Sequence, residues 1–476
     1  MPEADRKRHD TVVLPRRAHG LALLERYFPS PADNLLDAEL SAFARSGDTV
    51  LDPWAGTGWT ARRAIAQSMR AVAADPSPFA QLAGQAFLLA PDEPVIVAAL
   101  AQLARSRRVD VPLKQHIEEL YATRCATCRR PVIGDQFIWP RDGDAPGRKI
   151  YRCSNCDVAA GARAERVAPI DDADLDKLGI DRREPDARAA DPPDDPQQDP
   201  PVAAADPAGP AAPLGEPGGP PAPLAALPDP PASAGQQDRP RFASTVRPET
   251  IPDANVGLQR SQHYQQLRER FPVLDGNDEL IDELLDLYTP RNLYALQTIA
   301  NKIDAEFRSQ PMGAVMRLAL AACLLPASKL NGYPGRVAAL RISNGHVRQP
   351  ASRHQREVNV WELFEAAVDD VRTAIGALGR DRRPARFAAD FTELGGMTAA
   401  NVLWIRCRPA VVGQYLPADS VDLVLGCTGA LPSLDELSFE YLATAWLMGR
   451  EAAETLRLEP LFGASIERTD GAEAAA

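Results

Sequence analysis

The run Thr49-Val-Leu-Asp-Pro-Trp-Ala-Gly-Thr-Gly-Trp-Thr60 constrains the fold of this chain more than any other stretch. It reads as a short buried strand, a tight glycine turn and the start of a helix. Gly56 and Gly58 let the backbone approach a nucleotide-like ligand with no side chain in the way. Asp52 falls at the C-terminal edge of the strand, beside the crevice where open parallel α/β sheets bind ligands. A second strand, Arg70-Ala-Val-Ala-Ala74, ends in Asp75. That is about 20 residues on, where a ribose-binding acid is expected. The expectation is an α/β fold with a parallel sheet and a nucleotide-type ligand at its rim.

A chain of 476 residues has room for two or three domains with a sizeable core. It contains no apolar run of membrane-spanning length, and the N-terminus is polar and basic without a signal-peptide core. A soluble, cytoplasmic protein is therefore expected. The net charge of −12 looks wrong for a nucleic-acid binder. Yet Asp171 to Asp238 alone holds 15 acidic and 4 basic residues, or −11 of that total. From about Arg188 to Pro240 the chain is mostly Pro, Ala, Asp and Gly. Such a stretch buries too little apolar surface to offset its chain entropy and reads as a disordered tether between two folded halves.

Four of the seven cysteines form Cys125-x2-Cys128 and Cys153-x2-Cys156, with 24 residues between the pairs. Two such knuckles match a zinc ribbon, four thiolates around a tetrahedral Zn²⁺. In a reducing compartment disulfides are disfavoured. Arg124, Arg129, Arg130, Arg148, Lys149 and Arg152 surround the knuckles. They read equally as phosphate contacts and as a solvated surface. Cys323, in an apolar helical run, reads as core.

Beyond the tether, Asp278 to Phe307 reads as two helices. Thr289-Pro290 supplies a capping hydroxyl before an N1 proline, and Leu293, Leu296, Ile299 and Ile303 recur at helical spacing. Further helices are expected from Met312 to Leu325 and from Trp361 to about Leu378. The polar, basic segment Asn344 to Arg356 reads as a loop that could track a phosphate backbone.

Asp52-Pro-Trp-Ala-Gly-Thr-Gly58 resembles motif I of the DNA amino-methyltransferases, which methylate adenine N6 or cytosine N4. The resemblance implies a class I S-adenosylmethionine-dependent, Rossmann-like sheet. Asp52, Trp54, Gly56 and Gly58 would hold S-adenosylmethionine, with Asp75 on its ribose hydroxyls. The stretch from Phe28 to Arg45 is similar to the helix that packs under the methionine end of that cofactor. Leu287-Tyr-Thr-Pro-Arg-Asn-Leu-Tyr-Ala-Leu296 and Glu357-Val-Asn-Val-Trp-Glu362 look like blocks of the large DNA methylases that carry a zinc-ribbon insertion. The implied organisation is a cofactor-binding part over 1–110, a zinc ribbon over 111–170 and a Pro/Ala/Asp-rich linker over 171–245. A helical target-recognition-like region over 246–400 and a fourth-strand part over 401–476 complete it.

The pattern breaks late. Leu416 to Leu425 resembles the strand leading to motif IV, where the family has [DN]-P-P-[YFW]; here stands Cys427-Thr428-Gly429-Ala430. In the family the acid or amide accepts from the target amine and the ring stacks on the flipped base. Three readings stay open: a degenerate, non-catalytic subunit; catalysis by other residues such as Asp435 or Glu436; or Cys427 as a nucleophile. Strands five to seven of the family have no counterpart, so the sheet is expected to be incomplete and completed by a second polypeptide. The expected partners are thus DNA and that polypeptide, with no membrane. The alternative is a non-enzymatic DNA-binding or scaffold subunit of a modification or defence complex.

Overall fold

Thr49–Asp52 is buried at all four positions, the burial expected of a strand covered on both faces of a parallel sheet. The computed structural model describes residues 14–15, 24, 32–108, 110–160, 164–178, 261–272, 278–308, 311–377, 383–395, 399–426 and 432–463. All of them belong to one compact unit, assembled from the chain on either side of residues 182–247. The tether expected from about Arg188 to Pro240, and the motif IV position Cys427–Ala430, lie outside the described residues.

Five strands form an all-parallel sheet in the order Phe387–Ala388, Val402–Ile405, Arg70–Ala74, Thr49–Asp52, Leu423–Val424. Side chains alternate across it, as a period of two requires. Val50, Ala71, Ala73 and Val402 pack on one face with Ala61, Ile65 and Leu40. Leu51, Val72, Ala74, Leu403 and Ile405 pack on the other with Val412. From Thr49–Asp52 the chain moves to Arg70–Ala74 on one side, and only much later does Leu423–Val424 add on the opposite side. The first strand therefore lies at a topological switch point, where loops diverge and open a crevice at the strands' C-terminal ends.

A larger core lies among the helices Pro78–Leu89, Asp278–Leu285, Pro290–Phe307, Met312–Leu324, Val360–Gly376 and Leu434–Met448. The helices read from the sequence are present, and Cys323 is buried among them. Thr289 caps the second of the pair through Asn292 N–H, with Pro290 at N1.

The cysteine knuckles belong to an antiparallel sheet, and here the expected boundaries give way. Its long central strand, Pro131–Pro140, pairs with Ala122–Arg124 and Arg148–Tyr151, and also with His354–Val358 from the later half of the chain. Within the segment read as a phosphate-tracking loop, His354 to Arg356 therefore form part of a sheet strand, with Gln355 buried. The boundary expected at 400 also fails, since Phe387–Ala388 joins the parallel sheet rather than a helical region. The start of the linker needs the same correction. Asp172–Lys177 is a helix with a capping box from Asp171, and Asp174 is buried. Their partner is Lys149, only 1% exposed, whose Nζ donates to Asp174 at 2.6 Å, Asp171 at 3.0 Å and Thr123 at 2.8 Å. Lys149 thus leaves the expected basic surface and serves the core. Arg124, Arg129, Arg130 and Arg152 remain exposed.

The segments Leu287–Leu296 and Glu357–Glu362 of the second half meet inside the protein. Arg291 Nε donates to Glu357 Oε1 at 3.0 Å, its Nη2 bonds Oε2, and both residues are buried. The guanidinium stacks on Phe137 and Tyr121, at 4.1 Å and 4.9 Å from the ring centroids. Thr289 and Trp139 donate the remaining hydrogen bonds to Glu357. These residues join the helices to the antiparallel sheet.

Candidate functional site

The sheet's rim is built by its first two loops. Gly56 and Gly58 have φ of +50° and +78°, the left-handed region that disfavours any side chain. Gly58 also has no room: a Cβ there would lie 3.2 Å from the Trp404 ring and 3.3 Å from Leu88. Its N–H closes the turn on Ala55 O at 2.7 Å, and the helix Trp59–Ala66 starts from it.

Asp75 faces this elbow. One carboxylate oxygen accepts Gly56 N–H at 2.9 Å and the other accepts Ser77 N–H at 2.9 Å. Each oxygen keeps a second lone pair for a ligand hydroxyl. Asp52, 3% exposed, accepts Trp54 N–H at 3.0 Å. The structure therefore brings Asp52, Gly56, Gly58 and Asp75 into one place, with Trp54 at its edge, 44% exposed. Gly426 reaches the same place from the far strand: a Cβ on it would lie 3.1 Å from the Trp54 ring and 3.3 Å from Asp52. Gly426 thus lies directly beside the Asp-Pro-Trp turn.

The lining is acidic. Burial lifts Asp52 to about 6, against hydrogen bonds from Thr60 and Trp54 that lower it, and the Asp75 charge adds to the rise. Burial raises Asp75 as well. A third carboxylate, Glu440, arrives from the helix Leu434–Met448. Burial lifts it to about 7, against a lowering influence of Ser77, and the Asp75 charge adds to the rise. Among the described residues, no lysine or arginine pairs with any of the three. Sequence reading missed Glu440, because nothing local distinguishes it from any acid on a helix.

Asp435 and Glu436, alternative carriers of chemistry, are engaged elsewhere. Asp435 pairs with Arg341 at 3.3 Å, and Glu436 completes a capping box with Ser433.

The cysteines form a second candidate site. Cys125, Cys128, Cys153 and Cys156 place their sulfurs within 4.8 Å of one another. Cys125 Sγ lies 3.8 Å from Cys156 Sγ, and Cys128 Sγ lies 3.6 Å from Cys153 Sγ. A disulfide needs about 2.05 Å. A tetrahedron with Zn–S bonds of about 2.3 Å has edges of about 3.8 Å. Burial pushes the Cys125 thiol up, but Cys128 and Thr127 N–H groups and the Tyr151 hydroxyl outweigh it and bring it to about 6. The arrangement could hold a thiolate-loving ion.

The fold and these sites define a mixed α/β protein with one parallel sheet of general Rossmann-like form and an inserted four-cysteine cluster able to chelate a metal. No helix among the described residues is long and apolar enough to cross a membrane. Comparison with protein-family models, with curated proteins and with solved structures finds no match.

Proposed function

We propose that this chain binds S-adenosylmethionine at the glycine elbow and acts on DNA as a subunit of an amino-methyltransferase. The observation that carries the reading is the acidic lining of the switch-point crevice. Dinucleotides and nucleoside polyphosphates bring negative charge to such loops, and three carboxylates without cationic partners repel it. A sulfonium nucleoside brings positive charge instead. Asp75 would take the ribose hydroxyls, the Gly56–Gly58 turn would admit the nucleoside, and Asp52 would face the cationic end. The bound group would supply an activated methyl.

Transfer to an exocyclic amine needs an acceptor for the amine hydrogens and a surface for the flipped base. Cys427–Ala430 supplies neither by residue type, and Asp435 and Glu436 are occupied. We therefore assign this chain cofactor and DNA binding, with methylation dependent on a second polypeptide. The sheet supports a partner on the Leu423–Val424 side, its outermost strand there among the described residues, with Val424 60% exposed. The exposed arginines at the cysteine knuckles, Arg124, Arg129, Arg130 and Arg152, are the proposed phosphate contacts. The four thiolates would hold Zn²⁺ and fix the knuckles that carry them.

Calorimetry with S-adenosylmethionine, NAD⁺ and ATP tests the cofactor assignment. Binding of the first alone supports it; a preference for either phosphate-bearing ligand refutes it. Transfer of labelled methyl to DNA, with and without the product of the neighbouring reading frame, tests the subunit assignment. Full activity of the isolated chain would return the chemistry to this polypeptide.

A further inference from the structure

The antiparallel sheet has two unlike faces. Phe137, Trp139 and Glu357 turn inward, where they meet the helical core and Arg291. Their neighbours along each strand turn the other way. Register sets Ile138 directly between Arg148 on one adjoining strand and Arg356 on the other. Two residues along, Pro140 stands opposite His354, which stands opposite Tyr333. Ile138 is 3% exposed and the two arginines flanking it are half-buried, as expected of stems laid along the sheet with heads in water.

This outer face is basic. The Arg356 guanidinium lies over the Tyr333 ring, 5.2 Å from its centroid, and its Nε has no acceptor among the described residues. Stacking on a ring fixes the plane of the fork and leaves donors at its edge. Arg353 precedes the strand His354–Val358, Arg336 follows the strand Gly332–Tyr333, and both are exposed. Among the described residues none of these four arginines is ion-paired, whereas Arg166 and Arg341 hold Asp157 and Asp435. Two acids share this end of the sheet, Asp142 and Asp144 on the turn between Pro140 and Arg148. They stand against five arginines once Arg141 is included.

We propose that this face is a further contact surface for the phosphate backbone of DNA, with Arg148 and Arg356 at its centre and Arg336 and Arg353 at its rim. The surface rests on the DNA reading above and adds to it residues outside the knuckles. Charge complementarity carries the assignment, because uncompensated guanidiniums that meet phosphates release condensed counterions. Arg148 and Arg356 are two strand spacings apart, about 10 Å. A polyanion with repeated charges, and not one small anion, engages both. Such contacts position a duplex without reading its sequence. The strand Arg148–Tyr151 runs straight into Arg152 and Cys153, so the outer face and the knuckles share one strand.

Anisotropy of a labelled mixed-sequence duplex over a salt series, with the full-length chain, tests the assignment. Wild type is compared with Arg148→Gln/Arg356→Gln, with Arg148→Lys/Arg356→Lys, and with Arg124→Gln/Arg129→Gln at the knuckles. Two lost phosphate contacts lower the slope of log affinity against log salt by about 1.8. From a shared affinity at about 1 M salt, that is a loss of about 30-fold at about 0.15 M. Lysines at both positions keep the charges and are expected to keep most of the slope. Arg336→Gln/Arg353→Gln, at exposed positions, is expected to lower the slope as well and reads the face even where the central pair affects folding. Glutamine variants of the face with the wild-type slope, beside a weakened knuckle variant, overturn this surface and leave the DNA reading intact. A lysine variant as weak as the glutamine one marks a structural role and also overturns it. Tighter binding of polyglutamate than of the duplex at equal salt gives the face to an acidic protein segment, with the same consequence. If wild type binds no duplex at any salt, the DNA reading itself fails and this inference falls with it.

Discussion

Replacing Asp52 by asparagine is expected to make the protein more stable in neutral and alkaline solution while weakening its ligand. Asp52 is 3% exposed and has no cationic partner among the described residues, so its charge is held at a cost. The rise from 3.8 to about 6, at about 1.36 kcal/mol per pH unit, corresponds to about 3 kcal/mol. The folded carboxyl binds its proton more tightly than the unfolded one. Wild type therefore loses this stability as pH climbs from about 4 to about 6 and does not regain it above. Asparagine cannot ionise, and its amide oxygen can still accept Trp54 N–H. Urea midpoints of both proteins at pH 4, 5, 6 and 8 read the difference directly. The two should nearly coincide at pH 4 and separate in favour of the variant by up to about 3 kcal/mol at pH 8. A variant equal to or weaker than wild type at pH 8 would refute the claim that Asp52 is an ionised, uncompensated group kept for a ligand.

Removing one thiolate, as in Cys153→Ser, should cut bound zinc from about one equivalent to none and loosen the antiparallel sheet; elemental analysis and thermal melting check this. Arg291→Ala should cost about 3–5 kcal/mol by stranding Glu357 in the core, measured as a lowered urea midpoint. An unchanged midpoint would mean that Glu357 reaches water. Gly84→Ala should destabilise by about 1–3 kcal/mol, because the added Cβ would sit 2.3 Å from the Trp404 ring. The intrinsic fluorescence of Trp404 should shift with it. Lys149→Met should leave Asp171 and Asp174 without their cation and lower the melting temperature markedly at pH 7.

Sequence alone determined the local pieces, because each rests on neighbouring residues. The strand–glycine–helix unit at Thr49–Thr60, the cap at Thr289-Pro290, the amphipathic helices and the paired cysteines are all short-range patterns of polarity, backbone freedom and ligand spacing. Tertiary structure decided what required distant segments to meet. Only the fold turned Lys149 from a surface charge into the buried partner of Asp171 and Asp174, and joined His354–Val358 to the cysteine-bearing sheet. Only the fold buried Glu440 within reach of the Asp75 charge, more than 360 positions earlier in the chain. Burial and partners set the charge of such groups, and neither is written in the residues beside them.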